Sequence, residues 1–166
     1  MEYILSLGSN IGDKKKHLHR ALSLLEQHNV SIIATSALYR TSPVDYLQQD
    51  DFLNMVALVD TPLTPTEMLT LIHAVEQQQG RQRTIKKGPR TLDIDIIAAE
   101  GVTMSEPALT IPHPRAKERR FVMEPIQDLF LRHTHSNLLK DTAEWRTSFS
   151  EHQTIEKVEE QAWLRN

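Results

Sequence analysis

A chain of 166 residues, 39% hydrophobic and 25% charged, has enough material to bury a real core, and 1–166 is expected to form a single domain. No apolar run nears the roughly 18 residues of a membrane helix, no signal peptide or anchor is read at Met1, and the lack of cysteine excludes a disulfide framework and thiolate chemistry. The net charge of −3 argues against a nucleic-acid coat or membrane-surface protein, so the expectation is a cytoplasmic protein whose positive clusters have local causes.

In chain order, YILSLGSN (3–10) has strand length and ends in a Gly8-Ser9-Asn10 turn cluster. Residues 12–28 follow as a helix, with Leu18, Ala21, Leu22 and Leu25 on one face. VSIIATSALYRT (30–41) and DFLNMVALVD (51–60) read as two strands joined by a loop containing Pro43. The next helix has a start and a stop: Thr64 at N-cap, Pro65 at N1 and Glu67 at N3 make a capping box, and Gly80 sits where the chain must turn out. Met68, Leu69, Ile72 and Val75 are its apolar stripe. TLDIDIIAAE (91–100) is another strand, and PRAKERRFVMEPIQDL (114–129) begins as a basic helix. The remaining forty or so residues are polar, with a helix expected at TIEKVEEQAWLR (154–165).

The order β-α-β-β-α-β implies an α+β fold of the ferredoxin-like type. That means an antiparallel sheet with both helices on one face, functional loops on the other, and here a C-terminal helical extension.

Chemistry concentrates at RQRTIKKGPRTLDIDII (81–97), where five cations in ten residues, Arg81, Arg83, Lys86, Lys87 and Arg90, precede Asp93 and Asp95. In a strand these two carboxylates share a face, about 6–7 Å apart. A lone D-x-D is most simply the solvent face of a half-exposed strand. Beside a one-signed basic loop the second reading gains weight: a divalent cation held by the carboxylates and by substrate phosphates, with Mg²⁺ the natural ion. No GxxxxGK[ST] is present, which excludes a P-loop. A second basic cluster holds His113, Arg115, Lys117, Arg119 and Arg120. Asn54, inside an apolar strand after Phe52-Leu53, needs partners for its amide, and with Phe52 and Phe121 it could receive a flat heterocycle.

LGSN (7–10), ALYRTSP (37–43), FLN (52–54), EQQQGRQR (76–83), GPRTLDIDI (88–96), LTIPHP (109–114) and RRF (119–121) occur in that order. Over residues 1–130 the chain thereby resembles the 6-hydroxymethyl-7,8-dihydropterin pyrophosphokinases, folate-synthesis enzymes that convert ATP and a pterin alcohol to AMP and the pterin diphosphate. Residues 131–166 lie beyond the motifs. The resemblance implies that Asp93 and Asp95 hold two Mg²⁺ ions, with Asp93 also near the pterin. It places Arg81 and Arg90 in catalysis and Arg81, Arg83, Arg90, His113 and Arg119 on phosphate. Glu76, Ile96 and Thr110 would line the ATP pocket. The pterin would stack between Phe52 and Phe121, with Asn54 and the backbone around Thr41, Ser42 and Val44 reading its edges. Lys87, His73, Pro114 and Ala108 depart from the family pattern.

Small-molecule substrates are the expected partners, without nucleic acid or membrane, for a monomer with a dimer left open. An RNA-binding domain on the same scaffold would need an aromatic RNP1-like strand, and none is present. A D-x-D nucleotidyl- or glycosyltransferase would explain the metal but not FLN, GPR and IPHP together.

Overall fold

The computed structural model describes residues 1–43, 48–80, 91–149 and 153–159. Val44, Arg81, Arg83, Lys87 and Arg90 lie outside the described residues. Strand β1 (Glu2–Ser9) is the spine of an antiparallel six-stranded sheet. On one side it pairs with β5 (Asp93–Ala99), which forms the edge, and on the other with β4 (Phe52–Asp60). β4 pairs along its length with β2 (Ser31–Thr35) and β3 (Leu38–Thr41), and β8 (Ile155–Glu159) closes the far edge against β3.

The expected single strand at 30–41 is thus two. Ser36 divides it, because its hydroxyl accepts the Val56 amide at 2.9 Å and donates to the Ala37 carbonyl at 2.8 Å. The Ala37 amide then turns to Asp128 Oδ2 at 3.0 Å. A side chain that competes for backbone hydrogen bonds ends a ladder locally.

Helices α1 (Lys14–Glu26) and α2 (Pro65–Gln78) cover one sheet face. Leu18, Leu22, Leu25, Met68, Ile72 and Val75 pack there on Leu5, Leu7, Met55, Ala57, Ile94 and Ile96. Thr64 caps α2 as expected, its hydroxyl accepting the Glu67 amide at 3.3 Å, but the Glu67 carboxylate accepts that hydroxyl at 2.9 Å where a full capping box would have it accept the Thr64 amide. Gly80 takes the positive φ of 76° that ends the helix.

The opposite face departs from expectation. α3 (Arg120–Arg132) and α4 (Asn137–Ala143) lie on it, so helices occupy both faces. Val122, Met123, Ile126, Leu129 and Leu139 bury Ile4, Val56, Leu58, Ile97 and Ala98. The cause is in the strands: β1 and β4 are apolar at successive positions, and a strand buried on both faces needs a second layer. The basic stretch before α3 is a short 3-10 helix (Ala116–Glu118), with α3 beginning only at Arg120.

The expected C-terminal helix is also corrected. Residues Ile155–Glu159 are a strand, paired Thr41↔Ile155 and Arg40↔Glu156. The edge of β3 supplies amides and carbonyls that need partners, and that long-range demand overrides the helix-like spacing of Ile155 and Val158.

Candidate active site

Asp93 and Asp95 stand on β5 where the sheet face is not covered by α3. The register fixes their neighbours: Gly8 of β1 is the cross-strand partner of both Asp93 and Asn54, and Ser6 is that of Asp95 and Val56. Cross-strand partners share a face, so Asp93, Gly8 and Asn54 form one row and Asp95, Ser6 and Val56 the next. The same face carries Ile4 and Leu58 under α3. The two carboxylates are half-buried and continue the buried surface into an open one.

A bulge in β5 shapes the next wall. Ile96 pairs with Leu5 and Ala98 with Ile4, which leaves Ile97 as the extra residue. The Ile97 carbonyl accepts the His113 amide at 2.9 Å. The bulge therefore holds the His113 segment beside the Asp pair. This segment follows a small hairpin of β6 (Met104–Ser105) and β7 (Thr110–Ile111) and a cis Ile111–Pro112 bond.

Between α2, β5, that hairpin and the start of α3 lies a cleft of about 430 Å³. It brings together Glu76, Asp93, Asp95, Ile96, Thr110, His113 and Arg119, which are all the described residues assigned to nucleotide and metal. Glu76 is 3% exposed, and its Oε2 accepts the Ile94 amide at 3.1 Å. A side chain from α2 thus fixes the edge strand between its two aspartates. Arg119 caps α3 with Nη1 3.9 Å from Asp95 Oδ2 and its guanidinium 5.5 Å from the Phe121 ring centre. At that separation the ion pair is weak.

His113 has a defined tautomer. Its Nδ1 accepts the Arg115 amide at 3.2 Å, so in the neutral ring the proton sits on Nε2. Burial is the main reason its pKa is lowered to about 4, with Arg119 next, and Asp93 opposes them. His113 is therefore a neutral donor at working pH. Its resonances should titrate near 4 by NMR, and the rate profile should show no inflection from it near 6.5. Because the folded state binds fewer protons, the stability it contributes is full above the unfolded value of about 6.5 and is lost as pH falls toward 4.

The residues assigned to a heterocycle adjoin the cleft through Gly8. Asn54 is buried, and its Nδ2 donates to the Thr41 hydroxyl, which orients the amide. Phe52 and Phe121 are each half-buried, on β4 and in the first turn of α3. Ser42 is bonded to the tail segment. Its amide donates to the Thr154 carbonyl at 3.1 Å, its carbonyl accepts Gln153 Nε2 at 2.8 Å, and its hydroxyl accepts the Thr154 amide at 2.9 Å. The tail has taken the Ser42 amide, which leaves the hydroxyl proton and one carbonyl lone pair for a ligand.

The residues missed from sequence are Gly8, which was assigned to a turn, and Pro107, which joins Ala108 and Leu109 in a wall of the cleft. Three of the four departures, His73, Ala108 and Pro114, line the same cleft.

Residues 4–131 match the family described as 7,8-dihydro-6-hydroxymethylpterin-pyrophosphokinase (HPPK). The chain belongs to that family. The 2-amino-4-hydroxy-6-hydroxymethyldihydropteridine pyrophosphokinase of Bacillus subtilis is 41% identical over 126 residues, 75% of this chain and 75% of that one. The bifunctional protein FolKE of Lactococcus lactis subsp. lactis is 46% identical over 126 residues, and the match spans 75% of this chain but 36% of that protein. A crystal structure of Plasmodium falciparum HPPK-DHPS aligns with a TM-score of 0.62 at 16% identity, covering 86% of this chain and 44% of that one, a likeness of fold alone. As an HPPK-family member the chain is a diphosphokinase of folate synthesis. The HPPK match ends at residue 131, before α4 and β8.

Proposed function

We propose that the chain transfers diphosphate from ATP to the hydroxymethyl group of 6-hydroxymethyl-7,8-dihydropterin and releases AMP. The observation that carries this reading is the row Asp93–Gly8–Asn54, which joins an acidic cleft to an aromatic-flanked amide across one glycine. In this reading the pterin hydroxyl oxygen attacks the β-phosphorus, the bond from that phosphorus to the oxygen bridging to the α-phosphate breaks, and AMP leaves with that oxygen. The hydroxyl proton passes to solvent.

Asp93 and Asp95 fit Mg²⁺: two half-buried carboxylates on one face, beside a cleft that a triphosphate would enter. Two ions are proposed, and when bound they would neutralise phosphate charge and lower the pKa of the attacking hydroxyl. Asp93 and Asp95 would hold them as a pair, and no group of three or more acidic or histidine ligands exists among the described residues. His113 would offer its Nε2 proton and Arg119 its guanidinium to phosphate oxygens. Arg81, Arg83 and Arg90 would neutralise the triphosphate from outside the described residues, with Arg81 and Arg90 acting as charge develops. Glu76, Ile96 and Thr110 would bound the nucleotide. Phe52, Phe121, Asn54 and the backbone around Thr41, Ser42 and Val44 would bound the pterin.

The strand order, with β1 between β5 and β4 and with β2 and β3 beyond β4, supports a ferredoxin-like reading of β1 to β5. No helix among the described residues is long and apolar enough to cross a membrane.

Phe121→Ala should weaken pterin binding roughly tenfold to a hundredfold, the scale of one lost aromatic stack, and leave the ATP dissociation constant nearly unchanged. Calorimetry with each ligand separates the two. For the reaction itself, AMP release is measured with ATP and Mg²⁺, with and without the pterin alcohol. AMP formed only when all three are present supports the proposal; AMP formed without pterin, or none at all, rejects it.

A further inference from the structure

Gln153 sits in the segment leading into β8, beyond the part of the chain that matches the family. It is 8% exposed and makes two hydrogen bonds in different directions. Its side-chain Nε2 donates to the Ser42 carbonyl at 2.8 Å, and its backbone carbonyl accepts Arg120 Nη1 at 2.9 Å. Arg120 precedes Phe121 and is itself held by Glu124 at 2.7 Å. Ser42 follows Thr41, whose hydroxyl orients Asn54. Gln153 therefore bridges the helix that presents the ring and the strand end that orients the amide.

We infer that Gln153 is a positioning residue for the heterocycle-binding wall, and that the tail strand acts as a brace between its two halves. This rests on the proposed pterin site. A tail that merely completed the sheet would need only the β3–β8 ladder and its exposed ion pairs, Arg40–Glu156 at 3.4 Å and Lys15–Glu159 at 2.8 Å. A buried residue that holds one wall through its side-chain amide and the other through its backbone carbonyl adds nothing to that ladder. It does fix the distance between two groups that must grip one flat ligand, and holding such groups in place is what binding geometry requires. Gln153 touches no reacting atom in this arrangement, so its removal acts on affinity and not on the chemical step.

The test is Gln153→Glu, which keeps the shape but turns an acceptor toward the Ser42 carbonyl. Arg120→Met removes the other bond of the bridge, and Glu156→Gln serves as a control on the same strand. Pterin KM should rise roughly tenfold in Q153E, the scale of one lost buried hydrogen bond. The KM for ATP and kcat at saturating pterin should stay within about twofold. R120M should shift the same parameter, and the double variant should fall short of the product of the two effects. Glu156→Gln should change none of them. A lowered Tm with unchanged pterin KM in both Q153E and R120M would make the brace purely structural and overturn the inference. So would a rise in KM for both substrates together. Absence of pterin-dependent AMP release in the wild-type chain would instead remove the parent reading, and this inference with it.

Discussion

Asp95→Ala should lower kcat by at least about three orders of magnitude, on the scale of losing metal-assisted charge stabilisation, while Tm changes by no more than a few degrees. The two halves of this expectation come from different observations. Asp95 is partly open, with 33% of its side chain exposed, and Arg119 approaches it at 3.9 Å. Exposed pairs of that length contribute at most about 1 kcal/mol, and Asp95 belongs to neither apolar cluster, so its loss leaves the core packing in place. The rate has no such reserve. Asp93 is the remaining carboxylate of the pair on that strand face, and one carboxylate cannot organise a polyphosphate and an attacking hydroxyl as two can. Asp95→Glu should not restore the rate, because one added methylene carries the carboxylate farther out from a fixed strand. The checks are AMP release under saturating Mg²⁺, metal titration by calorimetry, and a thermal melt. Wild-type turnover in the alanine variant would make D-x-D a solvated strand face.

What could be read from the chain divides by range. Thr64, Pro65, Glu67 and Gly80 act within one helix, so the start and end of α2 were legible, and both appear where expected. Alternation placed Ile94 and Ile96 on the helix side and the aspartates on the other, which the packing reproduces. The strand at 155–159 could not be read locally, because its reason is the unpaired edge of β3 more than a hundred residues earlier in the sequence. The second helical layer was half-legible: the uninterrupted apolar run of β4 demands cover on both faces, but nothing in it says which helix provides it. Ser42 shows the same limit at the site, since residues 153 and 154 occupy its polar groups. Gly8 was misassigned for another reason. Glycine usually marks a turn, and the turn is at Gly12, with φ 68°; Gly8 is glycine because of what lies across the strand.

That cross-strand neighbour makes Gly8→Ala the other large effect. A Cβ at Gly8 would fall 2.5 Å from Asn54 Oδ1 and 3.7 Å from Phe52 Cδ1, in a strand with unexceptional backbone angles. The cost is steric, and overpacking of this kind typically costs about 1–3 kcal/mol. β1 is pinned on both sides by its ladders, so the amide of Asn54 is the group that yields. Its rotation breaks the bond to the Thr41 hydroxyl and removes the pterin-reading edge. Pterin affinity should therefore fall about a hundredfold, combining a lost hydrogen bond with a displaced wall, and the ATP dissociation constant should move far less. A second substitution separates stability from recognition. In the Gly8→Ala background, Asn54→Ala removes the clashing oxygen, so Tm should recover toward that of Asn54→Ala alone. Pterin affinity should stay low, because the amide that reads the ring is gone. Recovery of both would mean that the open space over Gly8, and not the Asn54 amide, is what the ligand requires. Recovery of neither would place the strain in β1 itself.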